Sequence, residues 1–150
     1  MHVNERAEQL AGEFDQANQE LIACIEGVSD DELRLTCGGD ERSVAVIAHH
    51  VASGYVPIAE WVQTIANGQP ISVDFAMVHD ANRAHAEANA NAGRDDILAA
   101  LRTNGVAALA VLRGMTDEQL ARVVPITLFG GQDMSADDVA EKVLIGHVRT

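Results

Sequence analysis

Aromatic residues make up only 3% of this 150-residue chain, which also has just three prolines, two cysteines and one lysine. Two cysteines are too few for a disulfide framework, so we expect reduced thiols. Disorder is excluded because 47% of the residues are apolar and no low-complexity tract occurs. An apolar content that is rich in Ala, Leu and Val predicts an all-α protein, and the length predicts a single domain over residues 1–150.

Positive charge is also scarce, with 10 Lys and Arg residues against 23 Asp and Glu residues and a formal net charge of -13. Such a chain repels phosphate backbones and anionic lipid surfaces, so we expect neither nucleic acid nor a membrane as a partner. No stretch approaches the roughly 20 apolar residues of a membrane span, and the first residues are charged where a signal peptide is apolar. We therefore expect a cytoplasmic protein.

Apolar residues recur at spacings of three and four in several segments, which is typical of bundle helices. The predicted helices cover about residues 7–28, 43–66, 73–92 and 95–112, and a final helix is capped by Ser135. Pro57 is expected to bend the second helix without ending it. Short capped turns follow the first and fourth helices. The core face of the first helix is predicted to hold Ala7, Leu10, Phe14, Ala17, Leu21, Cys24 and Val28.

The two halves of the chain resemble one another. Gly27–Leu33 parallels Gly114–Leu120, and each half ends in a His-Val pair, at His50 and at His147. The repeat predicts two helix-loop-helix units packed about an approximate two-fold axis. Each unit would bring one histidine towards the shared interior.

His50 and His147 both lie on inward helix faces, whereas the neighbouring His49 points nearly opposite to the apolar stripe. One interpretation is that these histidines are core residues that make hydrogen bonds. The other is a metal site, because imidazole binds Zn, Fe, Ni and Cu and bundle cores hold metals between facing helices.

Several catalytic motifs are absent from the sequence. No histidine has a glutamate three residues before it, which excludes a carboxylate-bridged di-iron site. His-Glu-x-x-His, Gly-x-Ser-x-Gly and phosphate-loop patterns are absent too. Sequence motifs therefore give no support for a hydrolase.

The segments 42–52 (RSVAVIAHHVA) and 144–149 (LIGHVR), together with Asn82 between them, resemble the DinB-like superfamily. This superfamily includes bacillithiol S-transferase-like proteins and mycothiol-dependent maleylpyruvate isomerases. The resemblance implies an up-down bundle of four helices, often dimeric, and we expect a homodimer. It also implies a divalent metal ion, usually Zn or Ni, with His50 as the first ligand and His147 as the second.

Two departures from the family pattern concern this metal site. Arg42 stands where relatives commonly have Trp, and the family's third ligand would fall one residue beyond Thr150. His85 is a candidate third ligand because it shares the inward face of the third helix with Asn82. The alternatives are a hydrogen-bonding role for His85 and a site with two histidines only.

The activity implied by the resemblance is a metal-dependent thiol S-transferase or isomerase acting on a small electrophile. The metal would hold a low-molecular-weight thiol, mycothiol or bacillithiol, as its thiolate. An Arg-rich, Lys-poor composition is typical of a GC-rich bacterial gene and favours mycothiol. Tyr55 and Asn82 are candidates for orienting the substrate, although Tyr55 is equally explained as a packing residue. The alternative is a non-catalytic bundle that has lost the metal and serves dimerisation or partner binding.

Overall fold

The computed structural model describes residues 5–36, 42–69, 75–89, 92–126 and 132–149, apart from eight side chains within these ranges, those of His79 and His147 among them. The helices are α1 (Glu5–Glu26), α2 (Asp30–Leu33), α3 (Val44–Ala66), α4 (Phe75–Ala88), α5 (Arg94–Arg113) and α6 (Asp117–Leu120). Two short strands follow, β1 (Val123–Ile126) and β2 (Gln132–Ser135), which pair in antiparallel fashion. The last segment, called the terminal helix below, consists of α7 (Ala136–Asp138), a π-helix (Val139–Ile145) and α8 (Gly146–Arg149).

The bundle consists of α1, α3, α5 and the terminal helix. Both α1 and α3 pack against α5 and against the terminal helix, so these four segments enclose one core. The largest fully buried side chains include Leu10, Phe14, Tyr55, Ile65, Leu101, Leu112 and Leu144. Burying a side chain such as Leu or Phe contributes about 1.5–3 kcal/mol. The predicted all-α four-helix bundle with additional short helices is confirmed.

Helix α4 lies outside this core. It packs mainly against α3, and none of its described side chains is fully buried. The polar face that marks this segment in the sequence agrees with that position, because a helix with few apolar residues gains little from entering a core. The helix ends at Ala88, earlier than predicted. Its position matters because it covers one side of α3 and carries His85 and Asn82.

The internal repeat is visible in the capping of the short helices. Ser29 caps α2 and Thr116 caps α6, each in a reciprocal capping box with the residue three positions later. Leu33 and Leu120 end these helices, and both side chains are buried. The predicted correspondence between the two halves is confirmed at these positions.

The correspondence continues into the next helix of each half. A β-bridge between Thr36 and Ser43 precedes α3, and the β1–β2 hairpin precedes the terminal helix. Ser43 and Ser135 then cap these helices, because each hydroxyl accepts a hydrogen bond from the backbone N–H three residues on.

Two details differ from the sequence prediction. Cys24 is exposed, and Ile22 and Ile25 are buried instead. A stripe with alternating spacings of three and four follows a 3.5-residue period, whereas a straight helix with 3.6 residues per turn drifts away from it by about 20° per heptad. Along α1 this drift moves Cys24 out of the core face, whereas Val28, which lies beyond the end of α1, packs against the core and is partly buried.

The second difference is the π-helix in the terminal helix. Its wider turn changes the angular position of every later residue relative to an α-helix. As a result Ile145 and Val148 are buried with Leu144, while Val143 is only partly buried. Within the described residues, no helix is long and apolar enough to cross a membrane.

Candidate functional site

Three imidazole rings meet where α4 crosses α3. His49 Nδ1 and His85 Nε2 are 2.8 Å apart and share a hydrogen bond, with ring centres 5.0 Å apart in a stacked arrangement. The ring of His50 lies edge-on to His85, with ring centres 5.5 Å apart. Adjacent residues on a helix point about 100° apart, so one histidine of α4 contacts both of its neighbours on α3.

His85 has an incomplete set of partners within the described structure. Its Nδ1 atom is buried and has no hydrogen-bond partner there. Burial lowers the pKa of His85, and the nearby charges of His49 and Arg42 lower it further. The neutral ring is therefore favoured, and a neutral imidazole has one nitrogen with a lone pair.

A cavity of about 400 Å³, called the histidine cavity below, opens between α3, α4 and the terminal helix. Its polar lining consists of His50, Ser53, Asn82 and His85. Its apolar walls are formed by Pro57, Ile58, Trp61, Val78, Ala81 and Val143. Small residues such as Gly54, which also lines it, leave the space between the two helices open. A mainly apolar cavity with a few polar groups is typical of small-molecule sites.

The histidine cavity brings together three of the predicted site residues, His50, His85 and Asn82. His147 lies in α8, and its side chain is outside the described part of the structure. Among the described residues, no group of three His, Cys, Asp or Glu side chains is placed to hold a metal ion.

Tyr55 does not belong to this cavity. Its side chain is fully buried in the bundle core, with its ring against Phe14 at a centroid distance of 4.9 Å. Its hydroxyl donates a hydrogen bond to Asn18 Oδ1 at 2.8 Å, and burial raises its pKa. The expectation that Tyr55 orients a substrate is wrong, because a fully buried side chain with a satisfied hydroxyl contacts no ligand. It is a packing residue.

A family model of the DinB superfamily matches residues 13–148. The chain belongs to the DinB superfamily. Among solved structures it is similar to YfiT from Bacillus subtilis, described as a probable metal-dependent hydrolase with an unusual four-helix bundle topology. The TM-score is 0.68 at 18% identity, and the match covers 97% of this chain and 85% of that chain. No curated protein matches the chain.

In this DinB-superfamily chain, sequence reasoning missed one residue of the site, His49. The apolar stripe of α3 placed His49 opposite to the core and therefore in solvent. The structure places it in contact with His85, since α4 covers that side of α3. The polar face shared by Asn82 and His85 was the available signal that α4 contributes to a site.

Proposed function

We propose that the protein is a divalent-metal-dependent enzyme that acts on a small electrophilic substrate in the histidine cavity. The observation that carries the proposal is the buried Nδ1 of His85, which has no hydrogen-bond partner among the described residues and belongs to a histidine that lines this cavity beside His50. Leaving a buried polar atom without a partner costs about 1–3 kcal/mol. A ligand atom or a metal ion at this position would remove that cost.

The histidines fit a metal ion in chemistry and in spacing. Two imidazoles bound to one tetrahedral ion, with Zn–N bonds of about 2.0–2.1 Å, have ring centres roughly 5 Å apart. The 5.5 Å between His50 and His85 is close to this value. His50 and His85 would supply two ligands, and His147 is the proposed third.

His49 would hold His85 in the required form. When His49 is neutral and its Nδ1 accepts the hydrogen of His85 Nε2, His85 Nδ1 carries the lone pair that a metal needs. Metal-binding histidines commonly donate their other N–H to a hydrogen-bond acceptor, which fixes the ring and its tautomer. His49 is thus a positioning residue.

A bound divalent ion would lower the pKa of a coordinated thiol or water, so that a nucleophile forms near neutral pH. The chain's own residues would do the rest. Trp61, Ile58 and Val143 exclude water from the reacting groups, and the Asn82 amide orients a polar group of the substrate. We propose a low-molecular-weight thiol, mycothiol or bacillithiol, as the nucleophile. The hydrolase description of YfiT supports water as the second candidate.

Metal analysis of the untagged, purified protein tests the site. We expect about one equivalent of Zn or Ni per chain in the wild type and less than about a tenth in His50→Ala, with unchanged helical circular dichroism. Cys24→Ser is the matched control, because an exposed thiol is the group most able to bind metal adventitiously. A metal-free wild type, or a His50→Ala variant that retains the metal, would contradict the proposal.

The reaction class is tested on the metal-loaded protein with two probes. Thiol conjugation of a chloronitrobenzene measures S-transfer, and cleavage of a nitrophenyl ester measures hydrolysis. We expect conjugation to exceed hydrolysis and to be lost in His50→Ala. If the wild type binds no metal and catalyses neither reaction, the remaining hypothesis is a non-catalytic bundle that serves dimerisation or partner binding. Light scattering would then detect a dimer.

A further inference from the structure

Arginine residues are concentrated beside the histidine cavity. Of the 10 Lys and Arg residues in the chain, three line two adjoining cavities: Arg34, Arg42 and Arg83. The two cavities have volumes of about 490 and 510 Å³ and share Arg42 and Ala86 as lining residues. In a chain with 23 acidic residues, such a concentration of positive charge is not expected from composition.

The cavity of about 510 Å³, called the arginine cavity below, is lined by Arg42, Asn82, Arg83 and Ala86. None of the described residues lining it is acidic, whereas Glu87 lines the neighbouring cavity. Two guanidinium groups and one amide thus face a space large enough for a small ligand group. Clefts lined by charge of one sign concentrate ligands of the opposite sign.

Asn82 connects the arginine cavity to the histidine cavity, because its side chain lines both. The two spaces share one wall of α4, with Ala81 and His85 on one side and Arg83 and Ala86 on the other. A small molecule that reaches from His50 and His85 to the arginines would therefore pass Asn82.

We propose that the arginine cavity binds an oxyanion, the carboxylate or phosphate group of a small-molecule substrate whose reacting part lies in the histidine cavity. The identity of the reacting part rests on the proposed function, whereas binding of the anionic group does not. Guanidinium groups present paired N–H donors that match the oxygens of carboxylates and phosphates. The Asn82 amide adds a further donor on the side of the histidines.

The ion pair between Arg83 and Asp80 does not prevent this binding. Arg83 Nη2 is 3.0 Å from Asp80 Oδ1, but both side chains are about three-quarters exposed, at 70% and 75%. Exposed pairs of this kind contribute little free energy. An anion that engages Arg42, Asn82 and Arg83 together can therefore compete with Asp80.

Nuclear magnetic resonance titration of the full-length protein with acetate and with methyl phosphate, at constant ionic strength, tests the proposal. We expect saturable shifts of the side-chain N–H signals of Arg42, Asn82 and Arg83. Arg42→Gln and Arg83→Gln should each weaken binding about tenfold, as expected for loss of a hydrogen bond to a charged group. Arg113→Gln is the matched control, because Arg113 is exposed on α5 and pairs with Glu8.

The two probes separate the sources of the anion: stronger binding of acetate indicates a carboxylate substrate, and stronger binding of methyl phosphate a phosphate ester. Absence of saturable binding for both probes would overturn the proposal. So would equal binding by the wild type and both arginine variants, provided that their circular dichroism is unchanged. Metal content is measured separately, so the two proposals can fail independently. A protein that binds the anions but no metal would refute the proposed enzyme only. A protein that binds metal but neither anion would refute this subsite only.

Discussion

Replacing Gly105 by alanine is expected to destabilise the protein, although alanine is the better helix former. Gly105 lies in the middle of α5, where alanine is normally favoured by about 1 kcal/mol. At this position, however, a Cβ atom would lie 2.4 Å from Asn18 Nδ2 in α1. Either Asn18 must move or the two helices must separate.

Asn18 is held by two buried hydrogen bonds. Its side chain is only 3% exposed, its Nδ2 donates to the carbonyl of Leu101 at 3.1 Å, and its Oδ1 accepts from the Tyr55 hydroxyl at 2.8 Å. Displacing the amide breaks both bonds, and each orphaned buried group costs about 1–3 kcal/mol. After the gain of about 1 kcal/mol in helix propensity is subtracted from the cost of both bonds, we expect Gly105→Ala to lower the free energy of unfolding by about 1–5 kcal/mol.

Urea denaturation followed by circular dichroism measures this change. Gly12→Ala in α1 is the matched control, because no atom lies within 4 Å of its added Cβ, and it should stabilise the protein by up to about 1 kcal/mol. In an Asn18→Ala background the clash is gone, so adding Gly105→Ala should be neutral or stabilising. A single Gly105→Ala variant as stable as the wild type would refute the reasoning.

Two further substitutions test other contacts. Tyr55→Phe removes the hydrogen bond to Asn18 and should lower the free energy of unfolding in urea by about 1–3 kcal/mol. The metal content of this variant should be unchanged. A loss of metal would mean that Tyr55 belongs to the site after all. Arg6→Gln removes the hydrogen bonds of 2.7 and 2.9 Å to Asp137 that join α1 to the terminal helix. The substitution should lower the free energy of unfolding by up to about 1 kcal/mol at low salt and by less at about 1 M salt. A loss of stability that does not depend on salt would mean that the charges of this pair are not responsible.

The sequence predicted the helices well because their signals are local. The caps of the short helices and the Ser135 cap of the terminal helix act within one helical turn, and all of them are present in the structure. The continuous helix through Pro57 also follows the prediction.

The candidate site was predictable only in part. His50 and Asn82 could be found because each lies on an identifiable face of a helix, and the structure places both at one cavity with His85. His49 and the arginine cavity could not be found in this way. Periodicity assigns a single buried face to a helix. Helix α3, however, has two packed sides: one faces the other helices of the bundle, and another faces α4.

The sequence by itself determined the fold class and the repeated capped helices, because capping and periodicity depend on neighbours within a few positions. It also indicated His50, His85 and His147 as candidate metal ligands. The tertiary structure decided which histidines meet. The packing of α4 against α3 joins His49, His50 and His85, and the burial of Tyr55 removes it from the cavity. Contacts of this kind depend on how helices that are distant in sequence pack together. That packing depends on the volume and burial of side chains throughout the bundle.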